Sequence, residues 1–147
     1  MSRFEWPVRV YIEDTDAGGI VYYVNYLKYM ERARTEFFRK FDSGGNYIAD
    51  DKSMFVVHSL NSQYLKPAKL DDTLIATVKV IKYGKANISM EQNIYRQRDV
   101  DEQSTGSEIE AVGELLCRGE VKIACVDRRM IKPRRMPLEL LAGLKDL

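Results

Sequence analysis

Apolar residues recur along this chain with two different periods, and the switch between them outlines the fold. Trp6–Ile12 is an apolar-rich run that predicts a strand, with Pro7 near its start as an edge strand tolerates. From about Asn25 to about Phe41 the spacing is helical. Tyr26, Tyr29, Met30, Ala33, Phe37 and Phe41 form one apolar face, and Lys28, Glu31, Arg32, Thr35, Glu36 and Arg39 occupy much of the remainder. Asn25 is a candidate cap, and Asp42-Ser43-Gly44-Gly45-Asn46 has the turn residues that end a helix.

Beyond that helix the period shortens to strands. Met54–Leu65 carries Phe55-Val56-Val57 and stops before Pro67. Thr73–Tyr83 alternates, with Leu74, Ala76, Val78 and Val80 on one face. Gly84-Lys85 reads as a tight turn. Ala86–Arg96 then alternates with Ala86, Ile88, Met90 and Ile94 inward, so the two segments predict an antiparallel hairpin. Gln97–Glu108 is polar and reads as an exposed hairpin loop. Glu110–Asp127 predicts a long strand, with bulges or bends expected at Gly113 and Gly119. Pro137–Leu147 has the makings of a short terminal helix. One long helix followed by an antiparallel sheet is an α+β domain, and with no repeat or linker in evidence residues 1–147 read as one domain.

Composition narrows the class. Charged residues are 31%, hydrophobic residues 45% and the net charge is +1, so no overall field draws the chain to nucleic acid or membrane. No apolar run approaches the roughly 20 residues of a membrane span, and Met1-Ser-Arg-Phe-Glu-Trp-Pro lacks a signal-peptide core. A cytoplasmic location is the expectation. Cys117 and Cys125 lie eight apart on one predicted strand, so free buried thiols are expected rather than a disulfide. Two cysteines are too few for a zinc site of their own.

The candidate chemistry gathers in Glu13-Asp14-Thr15-Asp16-Ala17-Gly18-Gly19-Ile20-Val21-Tyr22-Tyr23-Val24-Asn25-Tyr26, between the first strand and the helix. Acids, paired glycines and a helix start are brought together there. Two readings follow: a polar turn whose acids favour the helix N-terminus, or a site where a ligand approaches bare main chain.

The run from Arg9 to Tyr26, continued by Met30-Glu31-Arg32-Ala33-Arg34-Thr35-Glu36, resembles the signature of the hotdog-fold acyl-CoA thioesterases. Within them it is similar to the 4-hydroxybenzoyl-CoA thioesterase branch, and above all to its small YbgC type, which is associated with the Tol–Pal system. Phe4-Glu-Trp-Pro-Val-Arg-Val, Pro67-Ala-Lys-Leu-Asp-Asp, Gly119-Glu-Val-Lys-Ile-Ala-Cys-Val-Asp and Lys132-Pro-Arg extend the resemblance nearly end to end. It implies a hotdog fold, a helix wrapped by a curved sheet. It also implies subunits that extend their sheets across a dimer and often form tetramers.

The resemblance further implies hydrolysis of an acyl-CoA to free acid and CoA, with no metal or redox cofactor. It places Asp16 on the catalytic aspartate, as nucleophile or as general base. Tyr23 falls at the helix start, where backbone N–H groups polarise the thioester carbonyl. The YbgC type usually has histidine there, and tyrosine is closer to the 4-hydroxybenzoyl-CoA enzyme, so the role implied is one of the backbone. Gly19 would allow the thioester to come close. Asp14 is expected to brace the loop through its own backbone.

Glu31 is expected in a surface ion pair with a neighbouring arginine. His58, the one histidine, lies on a predicted strand outside any motif. Tyr64 is either a channel residue or part of a core or interface. Arg128, Arg129, Lys132, Arg134 and Arg135 suit the phosphates of CoA, Arg128 and Arg129 first among them. A solvated basic tail, or a contact with anionic lipid or an acidic protein, reads as well. No aromatic–basic stacking pattern points to nucleic acid. The rival to an enzyme is a hotdog scaffold of lipid synthesis with incidental turnover, since YbgC-type relatives are linked to acyl carrier protein, a candidate partner.

Overall fold

The computed structural model describes residues 3–41, 52–97 and 113–147. Its elements are β1 (Phe4–Arg9), α1 (Val24–Arg39), β2 (Ser53–Tyr64), β3 (Thr73–Tyr83), β4 (Asn87–Arg96), β5 (Glu114–Asp127) and α2 (Leu138–Lys145). The five strands form one antiparallel sheet in the order β1-β3-β4-β5-β2. The long helix packs on its inner face, which is the α+β hotdog arrangement expected. Segment 98–112, holding most of the expected polar loop and the start of the last expected strand, and the helix-ending turn at 42–46 lie outside the described residues.

Alternation decides which strand residues meet α1. Leu74, Ala76, Val78 and Val80 of β3 are buried, as are Ile88, Met90 and Ile94 of β4 and Val121, Ile123 and Cys125 of β5. From α1 they receive Tyr26, Tyr29, Met30, Ala33 and Phe37, all buried. Phe38, outside the expected stripe, is also buried and stacks on Phe55 of β2 at 5.1 Å. The apolar face is therefore wider than a single helical row, because α1 reaches the last strand as well as the central ones. Just past the same end of α1, Phe41 packs beside Gly143 of α2, where a Cβ would come within 2.4 Å of its ring.

One inward position of β4 is polar. Gln92 is fully buried, donates its amide to the Met30 carbonyl at 2.8 Å and accepts from Arg34 Nη1 at 2.7 Å. A buried amide is tolerated when its hydrogen bonds are made. Opposite it in the ladder lies Gly119. A Cβ there would lie 2.7 Å from both the Gln92 carbonyl oxygen and Met30 Cε. The glycine gives the methionine its room, so α1 sits close against the sheet.

Three expectations are corrected. The first strand spans Phe4–Arg9 rather than Trp6–Ile12. Its partner β3 begins at Thr73, opposite Arg9, and the chain then winds into a single 3-10 turn at Ile12–Asp14. Nor does the ladder bulge at Gly119. It shifts around His58 on β2, around Ile81 on β3 and around Leu116 on β5, while Gly113 takes a left-handed φ of 90° just before β5. Asn25 does not cap α1, since Tyr23 holds that position and Asn25 is buried in the first turn.

The sheet has two unlike edges. β1 is short and carries Pro7, whereas β2 runs for 12 residues without proline and exposes Val57, Leu60 and Tyr64. A long edge with no neighbouring strand among the described residues is what a second strand adds to.

The Gly119→Ala substitution should lower stability by about 1–3 kcal/mol, as overpacking does. Gly84→Ala, where the new Cβ meets only the movable Asn87 side chain at 3.3 Å, should cost about 0.5 kcal/mol or less. Urea midpoints at constant slope would measure both, and equal midpoints would contradict the close approach at Met30.

Candidate active site

The acid loop is built around Asp14. Its carboxylate accepts the Tyr11 N–H at 2.9 Å, bracing the 3-10 turn from within as expected. Its carbonyl accepts the Tyr22 N–H at 2.9 Å and the Asn25 side-chain amide at 2.8 Å. The fully buried Tyr29 hydroxyl faces the same carboxylate without closing a well-formed hydrogen bond on it. Burial, then the nearby Asp14 charge, push that hydroxyl well above the usual tyrosine range. Asp14 itself is buried.

Two residues on, Asp16 is exposed at the tip of the loop. Thr15 bridges Val21, Asp16 N–H donates to the Ile20 carbonyl at 2.9 Å and Gly19 N–H to the Asp16 carbonyl at 3.0 Å. Asp16 Oδ1 accepts the Gly18 N–H at 2.8 Å. Oδ2 has no partner among the described residues. Gly19 has φ +79°, and a Cβ there would meet open space. The glycine is thus needed for the left-handed turn, which also leaves bare main chain beside the carboxylate.

The turn at Pro67–Asp72 holds this loop from outside. Val21 N–H donates to the Ala68 carbonyl at 2.9 Å, Ile20 bridges Lys69, and the buried Tyr26 hydroxyl accepts the Ala68 N–H at 2.9 Å. Arg96 ties the turn to the sheet through Asp72 at 3.0 Å, the Pro67 carbonyl at 2.6 Å and Glu114.

Tyr23 stands at the head of α1. The Asn25 N–H closes on the Tyr22 carbonyl and the Tyr26 N–H on the Tyr23 carbonyl. The N–H groups of Tyr23 and Val24 have no acceptor among the described residues, the usual condition of a helix start. Its side chain is 54% exposed and meets Tyr22 at 5.0 Å and Tyr64 at 5.6 Å, both edge-on. Tyr64 meets Tyr26 at 5.7 Å, and Tyr26 meets Tyr29 at 6.3 Å. Five tyrosines thus wall one side of the loop. Of these the sequence singles out Tyr23 and Tyr64; the signal for the others is the three- and four-residue spacing of Tyr22, Tyr26 and Tyr29.

The structure joins Asp16 and Gly19 in one turn and sets Tyr23 at the end of the same connection, but leaves Arg128 and Arg129 elsewhere. Both arginines are exposed and follow Asp127, which pairs with Ser53. Tyr64, beside the acid loop, pairs with Cys117 at the other end of the same two strands. Twelve residues of β2 separate the ends, roughly 35 Å at the usual rise. There the N–H groups of Met130 and Arg129 on the Asp127 carboxylate, with Arg134, hold it below its usual range. Glu31 makes no ion pair among the described residues, contrary to expectation, though its charge reaches Arg34. His58 is exposed at its bulge.

Comparison with known proteins decides the kinship. Residues 10–144 match the model of the thioesterase-like superfamily. The chain belongs to that superfamily. It is 36% identical over 145 residues to the acyl-CoA thioester hydrolase YbgC of Escherichia coli O6:H1, covering 99% of this chain and 98% of that one. To the acyl-CoA thioesterase YbgC of Haemophilus influenzae it is 37% identical over 147 residues, covering 99% and 97%. A probable thioesterase from Bartonella henselae superposes with a TM-score of 0.72 at 30% identity, over 93% of this chain and all of that one. A 1,4-dihydroxy-2-naphthoyl-CoA thioesterase from Synechocystis superposes at 0.79 with 19% identity, over 99% and 98%, which shows the shared hotdog fold alone. Among the described residues no helix is long and apolar enough to cross a membrane.

Below the tyrosine wall lies Cys117, buried and free like Cys125. Burial pushes its thiol from about 9 up to about 11. The fold therefore favours the neutral thiol, a contribution complete below about pH 9 and lost as pH rises to about 11. Stability should decline over that window, and Cys117→Ala should flatten the decline. Denaturant midpoints at stepped pH would check this, and identical slopes in the two proteins would refute it.

Proposed function

We propose that this chain is an enzyme that hydrolyses acyl-CoA thioesters with Asp16 as its catalytic carboxylate. The observation carrying the reading is the Asp16 carboxylate itself. Among the described residues one oxygen is fixed by the Gly18 N–H and the other has no partner, on a loop that leads to N–H groups without acceptors at the head of α1. A thioester carbonyl placed at the Tyr23 and Val24 amides has its developing oxyanion stabilised by two donors and the positive end of the helix. Asp16 then attacks the carbonyl carbon, giving a mixed anhydride that water opens, or it takes a proton from the attacking water. Either way one water is consumed, the C–S bond breaks, and free acid and CoA thiol are released. A thiol is a good leaving group, with a pKa of about 8.5 for a cysteine-like group, so no strong acid is required opposite Asp16. Close kinship with acyl-CoA thioester hydrolases over nearly the whole chain supports the same reaction.

The substrate's nucleotide end supports a dimer. Two copies joined antiparallel through their β2 edges place the Ser53 end of one beside the Tyr64 end of the other. Arg128 and Arg129 of the partner subunit then approach this chain's Asp16 loop, where their guanidinium groups meet the CoA phosphates. A cytoplasmic location goes with this substrate.

Thiol release from short, long, branched and aromatic acyl-CoAs is the direct test. Wild type should turn over a subset, and Asp16→Asn should lose about a hundredfold or more in kcat. An equally active variant would remove Asp16 from the chemistry. The double substitution Arg128→Ala, Arg129→Ala should raise KM for acyl-CoA about tenfold or more and leave turnover of the matching N-acetylcysteamine thioester unchanged. Equal effects on both substrates would take the arginines out of phosphate recognition.

A further inference from the structure

Asn25 is buried in the first turn of α1, and its own N–H is already satisfied by the Tyr22 carbonyl at 2.9 Å. The cap position belongs to Tyr23, so the Asn25 side chain is not the helix cap. That side chain instead crosses to the acid loop and donates to the Asp14 carbonyl at 2.8 Å, across 11 residues of sequence. The same oxygen accepts the Tyr22 N–H, so both of its lone pairs are used. The bond acts on a specific part of the loop. Fixing the Asp14 carbonyl fixes the plane of the Asp14–Thr15 peptide. Thr15 is held in turn by Ile12, through its N–H at 3.1 Å and its hydroxyl at 2.7 Å, and by its bridge to Val21. The next residue is Asp16.

We propose that Asn25 is a positioning residue of the hydrolysis, tying the head of α1 to the Asp14 carbonyl so that the Asp16 carboxylate keeps one fixed place relative to the helix-start amides. It touches no reacting atom. It holds the two halves of the machinery, carboxylate and oxyanion donors, at one separation, and so acts on the chemical step rather than on substrate binding. The proposal rests on the reading of Asp16 given above.

The test is a double-mutant cycle on wild-type and Asp16→Asn backgrounds, with kcat, KM and thermal midpoint measured for each protein. Asn25→Ala should lower kcat about ten- to a hundredfold with KM within about twofold. On the Asp16→Asn background it should cost less than about twofold, since a misplaced carboxylate matters only where the carboxylate works. Should Asn25→Ala not fold, Asn25→Asp keeps the volume, removes the donor and is read in the same cycle. An equal loss of kcat on both backgrounds, or no loss on either, overturns the positioning role while leaving Asp16 in place. Full activity of Asp16→Asn alone removes the catalytic reading and this proposal with it.

Discussion

The distance between α1 and the sheet governs everything built on this scaffold. That distance is short because one ladder position of β5 has no side chain. Gly119 admits Met30, and Gln92 on the neighbouring strand bonds back to the Met30 carbonyl. A helix held this closely presents its first turn at a fixed height above the sheet edge. The acid loop, within residues 10–23, has to bridge from β1 to that first turn. It does so through Asp14, whose carboxylate and carbonyl are both occupied.

The same economy explains why the Pro67–Asp72 turn belongs to the site without supplying chemistry. It meets the loop only through main-chain contacts and the Tyr26 hydroxyl. Arg96 anchors it with a carboxylate on one side and a carbonyl on the other. Partly buried charge-assisted bonds of this kind restrict motion more than they add stability. The loop is thus clamped between a helix and a turn, while its tip, from Asp16 to Ile20, is open to solvent.

Periodicity made the framework legible. The inward faces of β3 and β4 and most of the α1 stripe follow from spacing alone, because burial of apolar surface imposes the period. What spacing does not carry is the partner of a polar group. Gln92 falls on an inward position that alternation leaves blank, and its carbonyl partner lies 62 residues away. Asn25 reads as a cap by residue type, yet its side chain serves the loop before the helix rather than the helix. Phe38 escapes the stripe because its partner Phe55 is on the far edge strand. Family resemblance points to Asp16, Gly19 and Tyr23, and the fold sets all three on the stretch between β1 and the start of α1. The separation of Arg128 and Arg129 from them was not legible, since register decides which end of a strand a residue reaches, and register is a property of the whole sheet.

The aromatic residues divide the molecule into two optical regions. The single tryptophan, Trp6, lies on the short edge strand and stacks with Phe4 at 6.3 Å. The five coupled tyrosines stand beside the acid loop. Trp6 emission therefore reports first on docking of the edge strand. The edge-on tyrosine rings, five of the nine tyrosines, add a near-ultraviolet dichroism contribution that changes with the loop. One unlabelled sample thus carries two signals, a fluorescent one from the sheet edge and a dichroic one weighted toward the acid loop.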